Sequence, residues 1–105
     1  MDRQAGFKAI ARYRDEIDEV DRRLVKLLNE RTRIVEELGR VKDELKMPVY
    51  EPRREDEVYS NILRHNEGPL PAEALRRLFE RIVDEMRTLQ HMNRRNRGAR
   101  TDEES

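Results

Sequence analysis

Apolar residues recur seven positions apart at Ile10, Ile17, Leu24, Leu38 and Leu45, and a second row runs Val20, Leu27/Leu28, Ile34/Val35 and Val41. Their combined three-and-four spacing is that of one face of an α-helix and predicts a first helix over about 7–46. No proline precedes Pro48, and Gly6 and Gly39 are the only glycines before it. The other faces carry opposite charges four apart (Asp18–Arg22, Glu19–Arg23, Glu36–Arg40), as suits a solvated helix surface. Pro48 and Pro52 punctuate a short connector. A second helix starting at Pro52 or Arg53 carries Val58, Ile62 and Leu63 and stops at Asn66-Glu67-Gly68-Pro69. Pro71 suits the first turn of a third helix, with a stripe of Leu75, Leu78/Phe79, Ile82/Val83, Met86, Leu89 and Met92. No strand-like alternation and no internal repeat occurs. The expected fold is all-α, three helices with a long first one. Residues 1–6 form a flexible N-terminal segment, 7–92 one helical domain, and the basic then acidic stretch 93–105 a disordered tail.

Length sharpens this picture. A helix over 7–46 is roughly 60 Å long at 1.5 Å per residue, whereas a compact body of 105 residues has a radius of gyration near 13 Å. The second and third helices are too short to cover the whole apolar seam of the first. Only 24 of the residues are Leu, Ile, Val or Phe and 44% are charged, so a lone globule would be marginal. The uncovered seam therefore calls for another chain, and an intertwined helical homodimer is the economical solution.

Charge and composition remove several kinds of chemistry. Lys plus Arg and Asp plus Glu both number 23, so no overall field steers the molecule toward nucleic acid or an anionic membrane. Any anion site must be a local cluster of cations. There is no cysteine, which excludes thiol catalysis, disulfides and Cys-ligated metals. His65 and His91 are too few and too far apart for a zinc site and read as surface or boundary residues; no metal and no cofactor is expected. No apolar run is long enough to span a membrane, and none follows Met1-Asp2-Arg3-Gln4 as a signal peptide would require. The expected setting is the cytoplasm.

The informative positions break the stripe. Arg31 occupies the register of Leu24 and Leu38, where an apolar residue belongs. Lys42 is four past Leu38, Arg14 lies between Ile10 and Ile17, and Gln90 follows Leu89 on the inner edge of the third helix. A buried cation without a partner is costly, so each needs a protein or ligand group beside it. Arg31 and Lys42 are 11 residues apart, close to three turns, on one face and roughly 16 Å apart along the axis. Arg14 is roughly 25 Å from Arg31 along the same helix and reaches such a site more easily from an antiparallel partner. Taken singly, each of these residues also fits a plainer role: a snorkelling or salt-bridged arginine, a boundary lysine, a glutamine capping an interhelical hydrogen bond. Glu51 alone reads as a helix cap, and Arg54 and Glu55 as first-turn surface charges.

Together the residues resemble the all-α chorismate mutase family. The first helix reads Arg14-x2-Ile17-Asp18-x2-Asp21-x2-Leu24-x2-Leu27-Leu28-x2-Arg31, then Gly39-x2-Lys42. The connector is Pro48-Val49-Tyr50-Glu51-Pro52-x-Arg54-Glu55, and the end carries Gly68-Pro69-Leu70, Leu78-Phe79-x2-Ile82 and Leu89-Gln90. The resemblance implies a three-helix subunit in an intertwined homodimer that rearranges chorismate to prephenate, on the branch to phenylalanine and tyrosine. It implies a site of Arg31, Lys42, Glu51, Arg54, Glu55, the Met86 position and Gln90 from one chain, with Arg14 of the partner subunit. Met86 departs from the family, which often has Ser there.

The reaction is intramolecular and pericyclic, and needs no nucleophile, metal or proton transfer. A catalyst must hold a compact conformer of a dianion and stabilise charge as the ether bond breaks. The resemblance gives Arg31 and the partner's Arg14 the carboxylates, Lys42 and Gln90 the ether oxygen, and Glu55, with Glu51 and Arg54, the ring hydroxyl. An isochorismate pyruvate lyase on the same scaffold shares the Arg and Lys set, and a non-catalytic helical dimerisation or regulatory module is the third reading. Small members of the family also associate with other shikimate-pathway enzymes, a partner class the tail is compatible with.

Overall fold

A computed structural model of the chain describes residues 1–104, with side-chain surroundings described for 1–100. Three helices follow one another, α1 (Arg3–Glu44), α2 (Pro52–His65) and α3 (Ala72–Glu104), and no strand occurs among the described residues. The chain divides into two units, Met1–Arg33 and Ile34–Ser105.

The first unit is helical from Arg3 onward. The expected flexible segment 1–6 is thus a helix start, because the Asp2 carboxylate accepts from the Ala5 N–H at 2.7 Å and caps the first turn. Its apolar stripe is exposed: Ile10, Ile17, Val20, Leu24, Leu27 and Leu28 are all among the exposed large hydrophobics.

The second unit holds the packing. Val35, Val49 and Val83 are its buried apolar residues, and Lys42 is buried with them. α1 ends in a Schellman turn: Met47 N–H donates to Lys42 C=O at 2.8 Å and Lys46 N–H to Asp43 C=O at 3.1 Å. Lys46 takes the left-handed conformation this turn needs, with φ 56°. The reversal sends the connector back along the helix end. α2 begins with Pro52 in its first turn, where a missing N–H costs nothing. It ends where Asn66 accepts from the Gly68 N–H at 3.0 Å and donates to Leu70 C=O at 2.9 Å. α2 packs on α3, and the Arg76 guanidinium lies 4.8 Å from the Tyr59 ring centre between them.

α3 continues to Glu104, so the expected disordered tail 93–105 is helical over 93–104; its last residue, Ser105, lies outside the described residues. Composition alone misread this stretch because two of its arginines, Arg94 and Arg97, find a partner. Arg97 Nε donates to Asp43 Oδ2 at 2.8 Å, and Arg94 Nε lies 3.2 Å from Asp43 Oδ1. No proline follows Pro71 to interrupt the helix. No helix among the described residues is long and apolar enough to cross a membrane, and no cluster of His, Asp or Glu among them could hold a metal ion.

Candidate active site

Lys42 is the buried charged residue among those described, only 4% exposed. It sits on the last turn of α1, and the Schellman turn folds the connector over it. Its ammonium donates to Val49 C=O at 2.8 Å and pairs with Glu51 Oε1 at 2.7 Å. An ammonium has three N–H groups, so one more acceptor can be served. Burial of such an ion is tolerable only with partners this close. Glu51 precedes α2 at its cap position, but its side chain makes no capping hydrogen bond. The carboxylate is spent on Lys42 instead, so the plain reading of Glu51 as a helix cap does not hold.

Gln90 lies against α1 at Gly39. A Cβ built on Gly39 would stand 3.3 Å from Gln90 Cγ, a tight contact. Glycine inside a helix costs about 1 kcal/mol relative to alanine, and here it makes room for the glutamine. The Gln90 carbonyl oxygen is buried and has no hydrogen-bond partner among the described residues. A buried amide left part-satisfied costs about 1–3 kcal/mol.

Glu55, on the first turn of α2, is gripped from α3. Arg87 Nε and Nη2 donate to its two carboxylate oxygens at 3.0 and 2.6 Å, a two-pronged pair across 32 residues of sequence. The Glu55 side chain is 19% exposed. Arg87 also lies 3.3 Å from Asp84 Oδ1 and 5.1 Å from the Tyr50 ring centre. Its hydrogen bond to Glu55 is the main reason its guanidinium holds the proton more tightly than usual. The neighbouring Tyr59 hydroxyl is pushed up, first by burial and then by the charge of Glu55.

The structure thus brings Lys42, Glu51, Glu55 and Gln90 into the second unit, as buried or partly covered groups. Met86 is half-buried one turn before Gln90. Arg54 is exposed and pairs with Glu57 at 3.3 Å, one turn along α2, as a first-turn surface charge does. Arg14 and Arg31 belong to the first unit, where Arg14 is exposed and Arg31 half-buried. Sequence reasoning missed Arg87, Tyr50 and the Val49 carbonyl. Asp84-Glu85-Met86-Arg87 reads as a charged helix surface, and nothing local signals a bond to a residue 32 positions away.

The second unit thus joins a buried lysine at the end of one helix, a glutamine packed on that helix and a carboxylate clamped by an arginine, in an all-α chain. The family follows from comparison: residues 13–91 match the model of chorismate mutase type II, and the chain belongs to that family. It is 35% identical to the bifunctional chorismate mutase/prephenate dehydratase of Aquifex aeolicus over 81 residues, 73% of this chain and 22% of that protein. The chain therefore spans about a fifth of the length of that relative. Among solved structures it resembles chorismate mutase (form II) from Thermus thermophilus, with TM-score 0.77 and 40% identity, covering 79% of this chain and 94% of that one. It also resembles the Helicobacter pylori chorismate mutase solved in complex with prephenate, with TM-score 0.76 and 26% identity over 85% and 96% of the two chains.

Proposed function

We propose that this chain is a chorismate mutase, rearranging chorismate to prephenate as an intertwined homodimer. The observation that carries this reading is the buried Lys42 ammonium, partnered on two sides and able to serve one more acceptor. In the rearrangement the ether oxygen gains negative charge as its bond to the ring breaks. A fixed ammonium in a site shielded from water stabilises that charge more in the transition state than in the ground state, which is what lowers a barrier. Gln90, an amide that donates at any pH, serves the same oxygen from α3. Glu55 accepts the ring hydroxyl. Arg31 and the partner's Arg14 take the two carboxylates, for which a planar two-pronged donor is well shaped.

The exposed stripe of the first unit supports the dimer. Ile17, Leu24 and Leu27 are each more than half exposed, and burying a residue of this kind is worth about 1.5–3 kcal/mol. A second copy of the same stripe covers it, and the partner's Arg14 travels with that copy.

The test is to follow chorismate absorbance with purified protein and to assay prephenate and pyruvate separately. Prephenate formation from chorismate is expected. Pyruvate release from isochorismate without prephenate would make the protein a lyase, and no turnover of either would leave a non-catalytic module. A mixed dimer of Arg14→Ala and Arg31→Ala subunits tests the sharing of sites: one intact site per heterodimer is expected, and none if each site is built from a single chain.

A further inference from the structure

The resemblance implies a role for Glu55 but none for the residue that holds it. We propose that Arg87 is a positioning residue, fixing the Glu55 carboxylate in the orientation that receives the ring hydroxyl of the substrate. This rests on the mutase reading and adds to it a residue that touches no reacting atom.

Three features of the geometry point to Arg87. Its Nε and Nη2 bind one oxygen each of Glu55, at 3.0 and 2.6 Å, and this side-on pairing fixes the plane of the carboxylate as well as its position. Each carboxylate oxygen has two lone pairs, so one acceptor direction per oxygen stays open for a hydroxyl. Arg87 is itself held: Asp84 Oδ1 stands 3.3 Å from Nη1, and the Tyr50 ring lies 5.1 Å from the guanidinium carbon. Tyr50 belongs to the connector that also supplies Val49 and Glu51 to Lys42. The groups that fix Glu55 and those that fix Lys42 therefore share one short segment of chain. Pairs such as Arg81–Glu85 on the same helix are far more open, with side chains 78% and 58% exposed.

A merely structural tie between α2 and α3 predicts different behaviour. It lowers the melting temperature of a variant but leaves the turnover of the folded enzyme alone. Positioning predicts a loss of turnover that passes through Glu55. The experiment measures kcat and KM for chorismate in the wild type, Arg87→Ala, Arg87→Lys, Glu55→Gln and the Glu55→Gln/Arg87→Ala double variant. Arg87→Ala should lose roughly 10-fold in kcat/KM, mostly in kcat, the size usual for a group that orients a functional residue. The double variant should be no worse than Glu55→Gln, because a glutamine offers Arg87 a single acceptor oxygen and no carboxylate plane to fix. Arg87→Lys keeps the charge and one hydrogen bond but not the fork, and should recover only part of the loss. If Arg87→Ala does not fold, Arg87→Lys carries the test, with reduced kcat expected. Wild-type kinetics in the arginine variants, or independent losses that multiply in the double variant, would overturn the proposal while leaving the mutase reading intact. An inactive wild type would remove both.

Discussion

Met1–Arg33 and Ile34–Ser105 differ in how far their ion pairs reach along the chain. In the first unit the ion pairs are of the Arg22–Glu19 kind, one turn apart and with both side chains more than half exposed. Pairs of that sort contribute about 0–1 kcal/mol, and the apolar stripe between them is uncovered. The second unit has such local pairs too, Arg54–Glu57 and Arg81–Glu85 among them, but it adds pairs that join distant parts of the chain: Lys42 with Glu51, Arg87 with Glu55, Arg94 and Arg97 with Asp43. Each of these distant pairs ties an element to another, and each is at least partly covered. On the proposed reading the second unit carries one half of the site, with Lys42 and Glu55 already held by protein partners. The first unit carries two candidate cations, Arg14 and Arg31, on a helix whose apolar face is still to be covered. On the proposed reading, dimerisation and completion of the site are one event.

The sharpest break of that comparison is Lys42→Ala. It removes the buried cation of the second unit and leaves Glu51 and the Val49 carbonyl without their donor. Turnover should fall by roughly 10²-fold or more, with a far smaller change in KM. Steady-state kinetics on the folded variant checks this, and unchanged kcat would discard the role of Lys42. Next in size is a charge in the stripe of the first unit. Leu24→Glu should convert a dimer to a monomer in light scattering at micromolar concentration and remove activity with it. Two copies lose a burial worth about 1.5–3 kcal/mol each and gain a like-charge contact. A variant that keeps the wild-type mass would show that this stripe is not the dimer seam.

Gly39→Ala probes the second unit more gently. The added Cβ meets Gln90 Cγ at 3.3 Å, so the glutamine has to give by a few tenths of an ångström. Alanine returns up to about 1 kcal/mol of helix propensity, which offsets the crowding, and net stability should change by less than about 1 kcal/mol. The amide of Gln90 moves with its Cγ, so kcat should fall several-fold. Denaturant melts beside kinetics separate the two effects; equal turnover would show that Gln90 need not be held where it is.

The contrast between the units also explains what could be read in advance. Periodicity and prolines were enough for three helices, because a 3.6-residue pattern and a helix stop are local properties. The stripe breakers Lys42 and Gln90 stood out because an ion or an amide among aliphatic neighbours has to be accounted for. Arg87 had no such contrast: it lies between Met86 and Thr88 on a helix rich in charge, and its partner is on another element. The tail failed for a related reason. Arg94 and Arg97 look like solvated charge until Asp43 is brought beside them, and a pairing 54 residues apart leaves no trace in composition. Arg54 shows the converse. Its place in the motif suggested a site residue, while the carboxylate it pairs with, Glu57, is simply one turn away.

The smallest expected effect concerns the turn on which Lys42 depends. Lys46 closes α1 in the left-handed region at φ 56°, a conformation that costs an ordinary L-residue about 1 kcal/mol and glycine almost nothing. Glycine also loses more freedom on folding, so the gain from Lys46→Gly is partly offset. Its side chain is exposed, and the ammonium held by Glu51 and Val49 is that of Lys42. The Schellman hydrogen bonds from Met47 and Lys46 use backbone groups alone and survive the exchange. Lys46→Gly should therefore stabilise the fold by about 0.5–1 kcal/mol, a rise of a few degrees in melting temperature at fixed protein concentration, with kcat and KM unchanged. A drop in stability would mean that the lysine, and not the backbone reversal, secures the turn. A change in kcat at equal stability would mean that the Lys42 ammonium is held less firmly by its own partners than by the stiffness of the chain behind it.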